Sequence, residues 1–268
     1  LRLFIGEGPA TLADGSINPF SKGLLIKNAT LGLIKLTEGT ATQYAIDASG
    51  EVSVVGLPDI TLEGTVRVRV NSTTQAIDEN ISVPGTNQSV NVTFAADQIA
   101  NPAGEAFISI VGLGITIGIG DNVITSDISV QQSLRDINGT PFDTSDDRRE
   151  TRLMLSNASL KISNAGTDYV TVTNGFGDLL ITDVGLVGAI GGSFTVNIPG
   201  VELSGDLNIL LNTTGEAFAE EFVVAADGTT RDGIEAGNFF QLSGTNLSIE
   251  IAGQSLSGNI FLGNETLA

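Results

Sequence analysis

From Ile60 to Asn71 the even positions Ile60, Leu62, Gly64, Val66, Val68 and Val70 are apolar or Gly, and Thr61, Glu63, Thr65, Arg67 and Arg69 stand between them. A period of two over this length predicts a β-strand with one dry face and one wet face. The stretch Val201 to Asn212 repeats the dry set as Val201, Leu203, Gly205, Leu207, Ile209 and Leu211. Shorter runs of the same kind fill the first half of the chain. They predict a hairpin over 23–36 folded at Asn28-Ala-Thr30, a strand or two over 44–55 broken at Ser49-Gly50, and strands over 76–83 and 90–94. Phe107–Ile119 reads as two strands meeting at Gly112 and Gly114, and 122–130 as another. In the second half strands are expected near 153–162, 169–173, 177–182, 193–198, 201–211, 217–225, 239–243, 247–251 and 254–262.

The spacing of matches shows a duplication. Gly64 and Gly205, Asn71 and Asn212, Ala76 and Ala217, and Glu79 and Glu220 all stand 141 positions apart, a shift that Gly50 and Gly191 share. Farther on, Ile115, Ile117 and Ile119 match Leu247, Ile249 and Ile251, and Ile128 matches Ile260, at a shift of 132. A deletion of about nine residues between in-register strands is what tandem copies of one fold show in their loops. The expected fold is all-β, with two tandem homologous antiparallel β-sandwich or meander modules. They occupy residues 1–130 and 151–268 and are joined by an acidic connector over 131–150. The alternative, a β-solenoid, fits less well with alternating strands linked by short Pro, Gly and Asn-Thr-Thr turns.

Composition narrows the function classes. Lys and Arg number 12 against 31 Asp and Glu, a net charge of −19, which argues against nucleic acid and anionic lipid as partners. Cys and His are both absent, removing disulfides, thiolate metal sites and the usual proton-transfer side chain. The most apolar run, Phe107–Ile119, is too short and Gly-rich for a membrane-spanning helix. With Leu1 at its start and no basic or cleavable leader, the chain is expected to be a processed product or a segment of something longer.

Ile198-Pro-Gly-Val-Glu-Leu-Ser-Gly205, Asn212-Thr-Thr-Gly215 and Leu247-Ser-Ile-Glu-Ile-Ala-Gly-Gln-Ser-Leu-Ser-Gly258 resemble tandem repeats of very large bacterial extracellular proteins, adhesin-like or surface-associated. Val170-Thr-Val-Thr-Asn-Gly175 and Leu179-Leu-Ile-Thr182 are similar to the same repeat. The resemblance covers nearly the whole chain, through turn-and-strand motifs without catalytic residues. It implies an extracellular or cell-surface location and a structural role.

Candidate chemistry is sparse. Glu79 and Glu220 sit on the apolar register of their strands, where a buried carboxylate would have a raised pKa, or at strand ends, where it would reach solvent. Asp136, Asp143, Asp146 and Asp147 crowd the connector and are candidate Ca²⁺ ligands, although without EF-hand spacing; a solvated linker is the plainer reading. Asn-X-Ser/Thr triplets make Asn28, Asn71, Asn80, Asn138, Asn157 and Asn212 glycosylation candidates, along with Asn87, Asn91, Asn246 and Asn264. A carboxylate pair with aromatic sugar platforms, as glycoside hydrolysis requires, is not recognisable, and no enzyme activity or cofactor beyond Ca²⁺ is expected. The function expected is a structural repeat unit of an extracellular filament, sheath or giant surface protein, assembling with copies of itself by stacking or strand addition. The alternative is a Ca²⁺-dependent adhesin segment that binds glycan or a surface.

Overall fold

The computed structural model describes every residue except 1, 10, 17, 19, 39–40, 58, 102–103, 136–147 and 267–268. Among the described residues the regular elements are all strands. The first eight are β1 (Leu3–Glu7), β2 (Lys22–Glu38), β3 (Ala41–Val55), β4 (Ile60–Asn71), β5 (Ile77–Ser82), β6 (Ser89–Phe94), β7 (Phe107–Ile119) and β8 (Asn122–Arg135). The next eight are β9 (Arg148–Asn164), β10 (Thr167–Ile181), β11 (Leu186–Ile198), β12 (Val201–Asn212), β13 (Phe218–Val223), β14 (Thr230–Ile234), β15 (Asn238–Ile251) and β16 (Gln254–Thr266).

The chain forms two compact units, residues 1–113 with 129–151 and residues 114–128 with 152–268, so that β7, β8 and β9 are divided between them. The first unit carries the strand order β1-β2-β3-β4-β7, and the second β9-β10-β11-β12-β15-β16. Pairing is antiparallel throughout these registers. Each unit is therefore a meander interrupted once by a two-stranded flap, β5-β6 in the first and β13-β14 in the second. This is the antiparallel all-β fold the alternation implied, and the ladder is not a solenoid.

Several residues that punctuate the sequence do not end strands. Asn28 lies inside β2 at φ 51°, where the register against β3 slips between Lys27 and Thr30. Asn174 does the same in β10 at φ 53°, and Asn246 in β15 at φ 53°. Gly114 stands within β7 at φ 58°. A left-handed residue in mid-strand with the ladder continuing on both sides of it is a β-bulge, not a turn. The expected hairpin at Asn28-Ala-Thr30 and the expected breaks at Ser49-Gly50 and Gly112/Gly114 are accordingly corrected to continuous strands. True two-residue turns occur at Ala165-Gly166 and Ala252-Gly253, where both residues have positive φ.

The ladder also corrects one match of the duplication. Gly50 pairs with Val66, and Gly192 pairs with Leu207. Val66 and Leu207 are equivalents, so the counterpart of Gly50 is Gly192 rather than Gly191. The connection between the paired strands is one residue longer in the first copy than at Pro199-Gly200, which absorbs the difference.

Each flap brings large hydrophobes into the core it shares with the sheet. Phe94 and Phe107 meet edge to face at 6.1 Å, with Ala45, Ile77 and Val92 around them. Phe218, Phe222 and Ile234 pack on Leu180 and Val187 in the second unit. At the base of each flap sits a fully buried Asn. The amide of Asn71 donates to the carbonyls of Gln75 (3.2 Å) and Gln98 (2.8 Å), and its Oδ1 accepts from the Thr73 amide and hydroxyl at 2.9 and 2.7 Å. Asn212 repeats this arrangement with the carbonyls of Glu216 (2.7 Å) and Glu235 (2.9 Å) and both groups of Thr214. The side chain thereby joins the segment entering the flap to the segment leaving it. Asn71→Ala or Asn212→Ala strands buried backbone carbonyls and should each cost about 3 kcal/mol in urea denaturation, while Asn91→Ala on the exposed side of β6 should cost about 0.5 kcal/mol or less.

Candidate functional site

Beneath each flap a carboxylate and a guanidinium meet. In the first unit Arg67 grips Asp47 with Nε to Oδ1 at 2.8 Å and Nη2 to Oδ2 at 2.6 Å. Arg69 Nε stands 3.5 Å from Asp47 Oδ2, and its guanidinium lies 4.6 Å from the centre of the Phe94 ring on the flap. Its Nη2 donates to the Thr93 carbonyl and, at 3.1 Å, to Gln98 Oε1. Burial lowers the pKa of Arg69, whereas the hydrogen bond to Asp47 raises that of Arg67.

The second unit makes the same connection from other positions. Arg152 on β9 holds Asp178 on β10 by Nε to Oδ1 at 2.7 Å and Nη2 to Oδ2 at 2.6 Å. Its Nη2 donates to the flap carbonyl of Glu221 at 2.6 Å, and Asp178 Oδ2 accepts the flap amide of Val223 at 2.9 Å. The guanidinium lies 5.5 Å from the Phe222 ring centre, and its pKa is raised chiefly by the bond to Asp178. Asp178 has no exposed surface. Gly32 pairs with Asp47 as Asp178 pairs with Ala189, so the acid has crossed one rung of the ladder between copies. At Gly32 a Cβ would lie 2.3 Å from Val92 of the flap; the first unit fills that place with a flap side chain, the second with a carboxylate.

This arrangement reverses the expected use of the two strand faces. Arg67, Arg69 and Asn71, and in the second copy Asn208, Leu210 and Asn212, face the flap. The dry set Val201, Leu203, Leu207, Ile209 and Leu211 lies on the opposite side, half-buried among its neighbours. Phe240, Ile260 and Leu262 share that face by register and are exposed. The flaps bring their own aromatic groups, so the sheet side they cover supplies the polar anchors.

Carboxylates also sit beside the bulges. Asp127 accepts from the Gly114 amide at 2.6 Å and the Asn157 amide group at 2.8 Å, bonds that lower its pKa in that order. Asp206 accepts from Ser193 at 2.6 Å and from Asn246 at 2.9 Å, again with a lowered pKa. Asp206 and Asp227 line an open cavity of about 410 Å³ together with Asn174, Asn208 and Ser243. The Asp227 pKa is likewise lowered, by hydrogen bonds from the Thr229 hydroxyl and amide.

Of the residues singled out by sequence, Asp136, Asp143, Asp146, Asp147 and Asn138 lie outside the described residues. Among the described residues no group of three or more acidic side chains is placed to hold a metal ion, and no helix is long and apolar enough to cross a membrane. Asn71 and Asn212 are closed to glycan in the folded chain, because each Nδ2 is buried and donates two bonds. Asn28, Asn80 and Asn157 are exposed; Asn28 and Asn157 are bulge residues whose amides bond Glu51 and Asp127. Glu79 is exposed, whereas Glu220 is half-buried and contributes to the field on Arg152. The Arg–Asp pairs under the flaps escaped sequence reading, since Asp47 and Asp178 do not align at the repeat spacing. No family model, curated protein or solved structure matches the chain.

Removing one partner from a buried pair leaves an uncompensated charge. Arg152→Met should cost about 3 kcal/mol in urea denaturation of the second unit, and adding Asp178→Asn should recover a large share of that loss while keeping an acceptor for the Val223 amide.

Proposed function

We propose that this chain is a structural, self-associating β-module of an extracellular filament, sheath or giant surface protein, with other copies of itself as partner. The observation that carries this reading is the apolar sheet face opposite each flap. In the second unit the strands β10, β11, β12, β15 and β16 lie side by side, and at about 4.8 Å per strand and 3.3 Å per residue they present roughly 1,000 Å². A stable interface buries about 800 Å² on each partner, so one such face is sufficient. The face is apolar in a chain of net charge −19, and a contiguous apolar surface of this size marks an interaction site.

The duplication supports the same reading, because a module copied in tandem carries the same face at fixed intervals. The resemblance to repeats of very large bacterial surface proteins points the same way. Like charge on every copy opposes association, and salt screens that repulsion. The purified chain should therefore form larger species as protein concentration and ionic strength rise, read by analytical ultracentrifugation and electron microscopy. Phe240→Asp with Leu262→Asp, both on the exposed apolar face, should leave the circular dichroism unchanged and abolish the large species. A monodisperse monomer at every salt and protein concentration contradicts the proposal.

A further inference from the structure

Building on the self-association proposed above, we infer that copies join head to tail, the outer edge of β16 receiving the outer edge of β1 from a second copy as an antiparallel neighbour. The template is a junction inside the second unit, where 122–128 of β8 lies against β9. Ser163 donates its amide to Asn122 Oδ1 at 3.0 Å, Thr125 and Ser159 share a hydroxyl bond, and Asn157 donates to Asp127 Oδ2 at 2.8 Å.

β16 is the counterpart of β8 and keeps the same fittings. Asp127 Oδ1 accepts the amide of the left-handed residue Gly114, and Asn259 Oδ1 accepts the amide of the left-handed residue Asn246 at 3.1 Å. Both pairs are thirteen residues apart (114 and 127, 246 and 259). By the same spacing Asn122 corresponds to Gln254, and the side-chain amide is retained. Among the described residues β16 pairs only with β15, whereas β8 is flanked on both sides.

β1 is the counterpart of β9, each being the antiparallel neighbour that precedes β2 or β10. Glu7 pairs with Lys22, six residues before the bulge at Asn28. Ser163 bonds Asp168 at 2.7 Å, six residues before the bulge at Asn174. Glu7 thus stands where Ser163 stands; because Thr125 lies opposite Ser159, Ile124 lies opposite Leu160, and the inferred junction sets Phe4 of one copy opposite Leu256 of the next.

The edge itself lacks the usual protection. β16 contains no Lys, Arg or Pro and a single acid, Glu265, over thirteen residues. Its Leu256, Phe261 and Leu262 are 72%, 66% and 60% exposed. Edge strands that must stay single are ordinarily broken by charge, Pro or a bulge. Because the two joined edges differ, the contact is heterologous and propagates as an open chain of copies.

Cysteine cross-linking tests the register in a background that has no Cys of its own. The variant carrying Phe4→Cys and Leu256→Cys should give, after mild oxidation under associating salt, a ladder of oligomers on a non-reducing gel. Mixing the two single variants should give a cross-linked dimer containing one of each. Association at wild-type strength in the ultracentrifuge, without ladder or mixed dimer, overturns this junction while leaving the self-association intact. Failure of the unmodified chain to associate at all overturns both.

Discussion

The structure depends on a charge buried where a hydrophobe would ordinarily be. Each unit lays a two-stranded flap across one side of its sheet. In the second unit Arg152 bonds a sheet carboxylate and a flap carbonyl together. In the first, Arg67 grips Asp47 while Arg69, 3.5 Å from the same carboxylate, donates to the flap carbonyl of Thr93. Such a pair gains little net energy over an apolar replacement, since desolvation offsets most of the attraction. Its contribution is geometric: in the second unit the bidentate guanidinium of Arg152 fixes the flap in one register, where aromatic packing alone would tolerate sliding. The buried Asn at the flap base fixes the other end in both units.

From that polar anchoring the rest follows. A sheet that spends its polar side on the flap has only its apolar side left to present, and that side is what the alternating sequence conspicuously supplies. On the proposed reading a second copy covers it, since a tandem module carries the same face with every copy. The two copies have not kept the same ion-pairing residues. Asp47 with Arg67 and Arg69, and Asp178 with Arg152, tie sheet to flap from different strands, the first reaching Thr93 on β6 and the second Glu221 and Val223 on β13. What has been retained is the connection, not the alignment column.

That is also why the sequence was legible only in part. Period-two alternation in Ile60–Asn71 and Val201–Asn212 reports backbone pleat and register directly, so strands and duplication could be read. It does not report which side is covered, because coverage is decided by a flap brought in from elsewhere in the chain. Asn28, Asn174 and Asn246 misled because a left-handed residue looks alike in a bulge and in a turn. β14, Thr230-Arg-Asp-Gly-Ile234, is short and polar on its outer side, and nothing local marks it as a strand. The ion pairs were invisible for a simpler reason: their members lie 20 to 26 residues apart and meet only through strand pairing.

The most direct test is hydrogen exchange on the second unit with and without the guanidinium of Arg152. If the pair is what seats the flap, Arg152→Met should speed exchange of the amides of β13 and β14 by about a hundredfold, the loss of roughly 3 kcal/mol of local protection, while β11 and β12 keep theirs. Unchanged exchange in the flap, or an equal loss of protection across the whole unit, would contradict the account.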